Sequence, residues 1–205
     1  MQLEYKDIIL RDKIEEDIES HIKYHNQRAD YLKYLMPLDY EEYLEEYDED
    51  IYRLTEKKRL EKSLPDLRTG FEIETKNGQH IGYVNSYYID YMYEPVKKDP
   101  NESTHNKAIE IVIFDQENWG KGYGQKALVA FADYLFDEGD YKLLYAKSWS
   151  GNEQAEFMCK NLGFRIVSRN EDTISFDGES YDEITLRLVP HNYKRFRKQY
   201  EQMKD

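Results

Sequence analysis

The amino-acid sequence predicts one α/β domain, and three features carry that prediction. The chain has 205 residues, enough to bury one core and few for two separate ones. Apolar and polar side chains alternate over 71–76, and Asn77-Gly78 precedes a second extended segment at 79–89, which is typical of a β-hairpin. A β-branched strand at 109–114 then leads through a glycine-rich turn into an amphipathic helix at 125–136. Mixed strands and helices of this kind indicate a sheet covered by helices, which we expect to form a single domain over residues 1–205.

The other elements follow from apolar spacing and from residues that start or stop helices. Isoleucines at four-residue spacing predict a helix after the first strand. Ser150-Gly151-Asn152 and Gly163 mark the start and the end of a later helix. In chain order we predict a strand at 5–11, a helix at 13–25, a short helical turn or second helix at 26–36, an amphipathic helix at 39–62, the hairpin strands at 71–76 and 79–89, the strand and helix at 109–114 and 125–136, a strand at 141–149, a helix at 153–162, strands at 164–168 and 183–189 joined by a polar connection, and a terminal helix at 191–203.

Two segments each admit two interpretations. Residues 39–62 run from acidic to basic along an apolar stripe, which fits a solvated helix or an acidic rim over a substrate pocket. Tyr87, Tyr88, Tyr91 and Tyr93 cluster at and beyond the end of the return strand. They fill the core and the sheet edge, or they line a binding cleft, since tyrosine offers an apolar face and a polar tip.

Composition narrows the class of partner. The net charge is −13, from 29 Lys and Arg against 42 Asp and Glu, which argues against nucleic acid and anionic membranes. It is compatible with a cationic substrate or simply with solubility. The single cysteine, Cys159, excludes an internal disulfide and a cysteine-rich zinc site, and we predict no metal. Without a signal-peptide pattern or a membrane-spanning apolar run, the protein is expected to be cytoplasmic.

The glycine-rich turn points to an anion. Gly120, Gly122 and Gly124 remove Cβ atoms at alternate positions, so the backbone N–H groups there can close around a negatively charged group. The helix that follows adds unpaired N–H groups and the positive end of its dipole. We therefore expect a phosphate-bearing cofactor at residues 120–125.

Two well-known phosphate sites fit this turn poorly. The G-x-x-x-x-G-K-[ST] string of a P-loop is absent from the sequence. Residues 122–127 satisfy the G-x-G-x-x-[GA] pattern of a dinucleotide site, but the next strand ends at Ala146-Lys147-Ser148-Trp149 without the carboxylate that would hold a ribose. The turn also lies in mid-chain, after hairpin-connected strands.

A resemblance accounts for the turn better. Trp119-Gly120-Lys121-Gly122-Tyr123-Gly124 resembles the acetyl-CoA pyrophosphate loop of the GNAT N-acetyltransferase superfamily, [QR]-x-x-G-x-[GA]. Trp119 replaces the first residue, as in the branch resembling ribosomal-protein alanine acetyltransferases. A second segment, Asn152 to Phe164, resembles N-x-x-[AS]-x-x-x-Y-x-K-x-G-F, with Cys159 in place of Tyr and Asn161 in place of Lys. The resemblance is strongest over residues 70–170, the expected acetyl-CoA-binding core.

The resemblance implies a fold and a cofactor site. The fold would be a mixed, mostly antiparallel, twisted sheet with splayed central strands, flanked by helices. The pantetheine arm of acetyl-CoA would run beside the backbone of Val112, Ile113 and Phe114. Lys121 and Lys126 would add charge at the pyrophosphate, and Asn152 would bond to the pantetheine or to a water. The residues expected to bind the cofactor are Val112, Ile113, Phe114, Trp119, Gly120, Lys121, Gly122, Tyr123, Gly124, Gln125 and Asn152.

Two expected catalytic positions depart from the family pattern. Ala108 stands where the family commonly has its glutamate base, and Glu110, two residues on and on the same strand face, is the nearest substitute. His105 in the preceding loop and a water chain are alternatives. Cys159 stands where the family has its tyrosine acid. Its thiol is either a proton donor for the departing thiolate or a small buried side chain that fills space.

The sequence therefore predicts a cytoplasmic acetyl-CoA-dependent N-acetyltransferase. Its acceptor would be a primary amine, on a cationic small molecule or a protein N-terminus, and the chain would be a monomer or a homodimer. The alternative is a catalytically silent acyl-CoA-binding sensor or interaction module, which the missing glutamate and tyrosine favour.

Overall fold

A computed structural model describes residues 1–27, 29–97, 106–139 and 141–202. In chain order the helices and strands are β1 (Gln2–Tyr5), β2 (Ile8–Arg11), α1 (Glu15–Gln27), α2 (Asp30–Leu35), α3 (Tyr40–Glu46), α4 (Glu49–Leu60), β3 (Gly70–Thr75), β4 (His80–Ile89), β5 (Pro95–Val96), β6 (Asn106–Ile113), a 3₁₀ turn (Gln116–Asn118), α5 (Tyr123–Asp137), β7 (Leu144–Trp149), α6 (Glu153–Asn161), β8 (Arg165–Phe176), β9 (Glu179–Leu188) and α7 (Pro190–Gln202).

The chain forms two compact units. The first comprises Met1–Val84 and Ile111–Ala127, and the second comprises Asn85–Glu110 and Leu128–Asp205. In the first unit the strands follow the order β1-β2-β3-β4-β6. The β1–β2 and β2–β3 pairs are antiparallel. Helices α1 and α4 pack together through the ion pairs Arg53–Glu19 and Lys57–Glu15, at 2.6 and 2.8 Å.

In the second unit β6, β7, β9 and β8 follow one another, and β5 pairs with β4. The pairs β7–β9, β8–β9 and β4–β5 are antiparallel, whereas β6 and β7 are parallel. The parallel register comprises Lys107 opposite Leu144 and Ala108 opposite Tyr145, although both strands continue beyond these residues. A pairing confined to the first residues of two longer strands is what strands that splay apart produce.

The predicted fold class is confirmed as an α/β arrangement with a mixed, mostly antiparallel sheet. The hairpin at Asn77-Gly78 forms as expected. Gly78 has a φ of +80°, and Thr75 donates its N–H to the carbonyl of Gln79 at 2.9 Å. Glycine is needed here because other residues adopt a positive φ only at a cost. Among the described residues, no helix is both long and apolar enough to cross a bilayer.

Two N-terminal predictions were wrong in detail. The strand expected at 5–11 is a hairpin, because Lys6 adopts a φ of +51° and reverses the chain between β1 and β2. The helix expected over 39–62 is two helices, α3 and α4. Asp48 separates them, since its carboxylate accepts the N–H groups of Asp50 and Ile51 at 2.9 Å and so caps a new helix.

The C-terminal strands are longer than expected. The polar connection predicted between 168 and 183 is instead the body of a hairpin, with β8 and β9 paired as far as Phe176 and Glu179. Asp177 and Gly178 turn the chain with φ values of +51° and +78°. Asp-Gly between extended segments is a hairpin signal. The residues before it are polar and do not show the alternation that predicts a strand.

Candidate active site

The glycine turn has the conformation that an anion-binding loop requires. Gly120 and Gly122 have φ values of +71° and +78°. A Cβ built on Gly120 meets no atom within 4 Å, and one on Gly122 comes only to 3.9 Å from Lys126 Cε. Glycine is therefore demanded by the backbone conformation and not by crowding. Positive φ at alternate residues turns successive N–H groups toward one side, which creates a concavity for an anion.

Helix α5 begins directly after this turn, at Tyr123. The carbonyl of Gly122 accepts the N–H of Lys126 at 3.0 Å, so the helical ladder starts there. The N–H groups of the first helical residues have no acceptor within the helix and are available to a ligand. The first turn of α5 contains no carboxylate that would compete with an anion. Lys121 is exposed beside it.

A tryptophan anchors the start of the turn to β6. The indole Nε1–H of Trp119 donates to the carbonyl oxygen of Ile113 at 2.8 Å, and its ring meets that of Tyr34 edge to face at 5.3 Å. This explains what a tryptophan does at a position where the family resemblance expects Gln or Arg. It couples the end of the strand to the loop that follows.

The backbone hydrogen bonds at the end of β6 show which of the three residues expected to contact the pantetheine arm has groups that face away from β4. Phe114 donates its N–H to Ile81 at 3.0 Å, so that group faces β4. The carbonyl of Val112 lies against Gly82, where a Cβ would come within 2.0 Å of its oxygen. Because backbone groups alternate along a strand, Ile113 presents its polar groups to the other edge. The carbonyl of Ile113 already accepts the Trp119 indole N–H. Of the three expected residues, Ile113 is thus the one whose N–H is suited to hydrogen-bond a cofactor arm.

An unpaired amide lies next to the same loop. Asn118 is buried, and its side-chain Nδ2 has no partner among the described residues. A buried donor without an acceptor is costly, which indicates an acceptor supplied from outside the chain. The donor set here, N–H groups with neighbouring lysines, is chemically suited to phosphate oxygens.

Lys126 is not free to add charge as expected. Its Nζ lies 2.7 Å from Asp7 Oδ1 and 5.4 Å from the centre of the Tyr123 ring. Asp7 is on the turn between β1 and β2, so only the fold brings this carboxylate to the start of α5. The cation is partly neutralised unless a phosphate displaces Asp7.

In the second unit, Glu110 belongs to a set of carboxylates around one tyrosine. Burial raises the pKa of Tyr87 to about 12, together with the charges of Glu110, Glu183 and Glu94. Lys147 Nζ lies 3.0 Å from Glu183 and 3.3 Å from Glu94. We call Glu94, Glu110 and Glu183 the acidic set. Spacing along the chain gave no signal for it, because its members come from three separate segments.

The tyrosines at 87–93 were expected either to fill the core and the sheet edge or to line a binding cleft, and they differ in their surroundings. Tyr87 and Tyr93 pack against the cluster of Ile89, Ala108 and Tyr145, as edge-filling residues would. Tyr91 is 86% exposed. Tyr93 has a φ of +68°, and the turn is held by Asp90, whose carboxylate accepts the N–H groups of Met92 and Glu94.

Asn152 and Cys159 lie on α6. The Asn152 side-chain oxygen accepts the N–H of Ala155 at 3.1 Å and caps the helix, which leaves its amide NH₂ for other contacts. Cys159 is buried, and burial raises the pKa of its thiol to about 12, with a smaller contribution from Glu156. Such a thiol is a poor proton donor, which favours the space-filling interpretation. His105 lies outside the described residues.

The glycine-rich turn lies at the start of α5 and follows a strand of a mixed sheet, an arrangement of an α/β protein that is suited to an anion. The model of the acetyltransferase (GNAT) domain family matches residues 7–165 of the chain. The chain belongs to the GNAT acetyltransferase family.

Individual relatives are distant. An N-acetyltransferase 9-like protein of Nematostella vectensis is 27% identical over 99 residues, which cover 46% of this chain and 50% of that protein. The matched region thus spans about half the length of this curated relative.

Solved structures share the fold. A GNAT-family acetyltransferase from Bacillus anthracis is 18% identical with a TM-score of 0.65, covering 92% of this chain and 98% of that one. The ribosomal L7/L12 α-N-protein acetyltransferase RimL, in complex with coenzyme A, is 13% identical with a TM-score of 0.67 and the same coverage, 92% and 98%. Spermidine N-acetyltransferase from Vibrio cholerae, in complex with CoA and spermine, is 18% identical with a TM-score of 0.67, again covering 92% and 98%.

Proposed function

We propose that this chain is an acetyl-CoA-dependent N-acetyltransferase that acts over residues 1–205 as one catalytic domain. The observation that carries the proposal is the turn at Gly120 and Gly122, with positive φ at both residues and the open helix start at Tyr123. N–H groups of residues 120–125 would hold the pyrophosphate, Trp119 would fix the loop, and Asn152 would use its amide NH₂ on the pantetheine or on a water. Membership of the GNAT family supports acetyl-CoA as the phosphate-bearing ligand.

The acceptor that we propose is a primary amine of a cationic molecule. The acidic set supports this choice, because Glu94 and Glu183 face the single cation of Lys147 and so leave an excess of negative charge that attracts a cation. Relatives of the same fold acetylate spermidine or a protein N-terminus, as their names state. A small polyamine and a basic peptide N-terminus are thus the two acceptor classes to test.

In the proposed reaction Glu110 is the general base. It takes a proton from the ammonium, directly or through water, so that the amine lone pair can attack the thioester carbonyl. The C–S bond then breaks and the acetyl group remains on nitrogen. The nitrogen loses its second proton, and the CoA thiolate takes up a proton from the acid or from water, which gives the amide and free CoA thiol. His105 and a water chain are the alternative bases. Cys159 is the position that the family resemblance offers for the acid, but its buried thiol is a poor donor. A nearby tyrosine is the alternative proton donor.

Two departures from the family pattern favour a second function, an acyl-CoA-binding module without catalysis. Ala108, at the family's glutamate position, is fully buried, and Cys159, at the tyrosine position, is a buried thiol with a raised pKa. Both departures remove a proton-transfer group and leave the cofactor turn intact.

The test separates binding from turnover. Acetyl-CoA binding is measured by calorimetry, and release of free CoA thiol is followed with spermidine, an aminoglycoside and a basic peptide as acceptors. We expect micromolar binding and acceptor-dependent release, with mass spectrometry placing one acetyl group on the amine. Binding without release across the whole panel would support the module. Absence of binding would overturn both functions.

A matched pair of variants tests the base. Glu110→Gln keeps the size of the side chain and should lower kcat about 10²-fold or more, with unchanged acetyl-CoA affinity. Glu117→Gln, an exposed carboxylate on the turn after β6, is the control and should leave kcat unchanged. Equal rates for the Glu110→Gln enzyme and the wild type would remove Glu110 from the mechanism.

The cellular setting completes the proposal. The negative charge of −13 supports a partner other than nucleic acid or an anionic membrane surface, and the cytoplasm is the proposed compartment. We propose a monomer or homodimer, which light scattering of the purified protein would distinguish.

A further inference from the structure

Two histidines and a glutamate converge inside the first unit. His21 Nε2 lies 2.9 Å from Glu72 Oε2, and His80 Nε2 lies 2.8 Å from the same oxygen. All three atoms are within 4.8 Å of one another. The residues come from α1, β3 and β4, so segments far apart in sequence meet at this point. Two imidazole nitrogens directed at one carboxylate oxygen form a ligand set that divalent transition metals prefer.

The cluster is shielded from water and its rings are held in place. The side chains of His21, Glu72 and His80 are only 14, 7 and 9% exposed. The His21 ring stacks on Tyr83 and meets Phe114 edge to face, with centroids 5.8 and 4.9 Å apart. Packing of this kind fixes the direction of a nitrogen lone pair before any ion arrives, which lowers the entropy cost of binding.

The outer nitrogen of His80 has the partners that a metal ligand needs. His80 Nδ1 lies 2.9 Å from Ser20 Oγ and 3.5 Å from Asp17 Oδ1. A metal-bound imidazole donates its other N–H to an oxygen of this kind, which fixes the tautomer and strengthens the ligand. Ser20 can accept this bond, since a hydroxyl both donates and accepts.

We propose that His21, Glu72 and His80 bind a zinc ion through their Nε2, Oε2 and Nε2 atoms. Tetrahedral zinc with ligand distances of about 2.0–2.2 Å sets its ligand atoms about 3.4 Å apart. The two nitrogen–oxygen spacings of 2.8 and 2.9 Å must therefore widen by about half an ångström. Binding through Nε2 requires each imidazole in the tautomer that carries its proton on Nδ1. The carbonyl oxygen of Gly82, 3.1 Å from His80 Nε2, or a water completes the coordination.

The charges around the cluster are compatible with a dication. Lys13 Nζ lies 3.7 Å from Glu72 Oε1, but its closer contact is Glu56 at 2.7 Å. The lysine can therefore keep Oε1 and Glu56 while the ion uses Oε2. Asp17 is neutralised by Arg11, whose guanidinium contacts it at 2.6 and 2.8 Å. Arg59 also pairs with Glu56. Lys13 and Arg59 therefore balance Glu56 and Glu72, so the ion would be held by its three ligand atoms and not by an excess of negative charge.

The ion would tie α1 to β3 and β4. This is a structural role that does not depend on the proposed acetyl transfer, and it departs from the sequence-based prediction that the chain holds no metal. Neither inference stands or falls with the other, because the cluster shares no residue with the glycine turn or the acidic set.

The direct test is a zinc titration of the chelator-treated full chain by calorimetry. We expect one ion per chain with a Kd of about 1 µM or tighter and a rise in Tm that a chelator reverses. Crystals grown with zinc should show an anomalous peak between the two Nε2 atoms and Glu72. Absence of stoichiometric binding, or a peak elsewhere, would overturn the proposal without any variant.

Variants then identify the ligands. His21→Gln and His80→Gln should each weaken zinc binding at least tenfold, and Ser20→Ala about tenfold through the orientation of His80. His191→Gln, which removes an exposed histidine at the start of α7, is the control and should bind as the wild type does. Far-UV circular dichroism of the metal-free forms checks folding. Unchanged affinity in both folded histidine variants would refute the assignment.

Discussion

The indole of Trp119 donates a hydrogen bond to the carbonyl of Ile113, and this bond fixes the loop that precedes α5 to the last residue of β6. Trp119→Phe keeps an aromatic ring against Tyr34 but removes the donor. A single hydrogen bond contributes about 1 kcal/mol, so acetyl-CoA affinity should fall about fivefold while the fold persists. Calorimetry would measure the Kd for acetyl-CoA in both proteins, and equal Tm values would show that the fold persists. Unchanged affinity would mean that the loop is ordered without the bond.

The left-handed glycine at 122 allows strain to be separated from binding. Gly122→Ala meets open space but must adopt a positive φ, which costs about 1–2 kcal/mol. If the N–H groups of this turn bind phosphate, acetyl-CoA affinity should fall tenfold or more. Gly78→Ala is the matched control, because Gly78 has a φ of +80° and equally open surroundings in the hairpin turn. The two variants should lose similar stability in urea unfolding. Equal cofactor affinity in both would remove Gly122 from the binding site.

The Lys126–Asp7 ion pair predicts a gain of function. Asp7→Asn releases the ammonium, which can then contact a phosphate, so KM for acetyl-CoA should fall about two- to fivefold at low salt. Lys126→Met should raise KM. The assay is the initial rate of CoA release at varied acetyl-CoA, repeated at high salt, where the Asp7→Asn effect should shrink. If neither variant changes KM, Lys126 serves only to hold the β1–β2 turn.

Cys159 should be chemically silent in the folded protein. Its pKa is raised from 9.0 to about 12 because the thiol is buried, so little thiolate exists at pH 8. Native protein should resist iodoacetamide and react fully in urea, as measured by mass spectrometry. Cys159→Ser and Cys159→Ala should keep kcat within about threefold of the wild type. A tenfold loss in both would restore the thiol as a catalytic acid.

The same thiol predicts a pH effect on stability. Between pH 9 and about 12 the unfolded chain loses the thiol proton, whereas the folded chain keeps it. The folded state then binds more protons, so stability falls as pH rises through this window. The wild type should lose more unfolding free energy between pH 8 and 10 than Cys159→Ala does. Parallel curves for the two proteins would contradict the raised pKa.

Much of the fold could be predicted because its signals are local. Asn77-Gly78 fixes a hairpin through backbone conformation, and Gly122 before an apolar-periodic segment marks an anion-binding helix start. The errors arose where a local signal was weak or was hidden by the residues around it. Asp48 caps a helix inside a segment of continuous charge, and Asp177-Gly178 joins strands whose polar residues hid the alternation.

By itself, the sequence determined the α/β class, the glycine-rich turn before α5 and the family resemblance, since residue type and spacing control backbone conformation at close range. Only the tertiary structure decided which distant groups meet. It paired Lys126 with Asp7, gathered Glu94, Glu110 and Glu183 around Tyr87, and directed His21 and His80 at Glu72. Most of these contacts join separate segments of the chain, and their distances depend on how strands and helices pack. No periodicity in the chain encodes them.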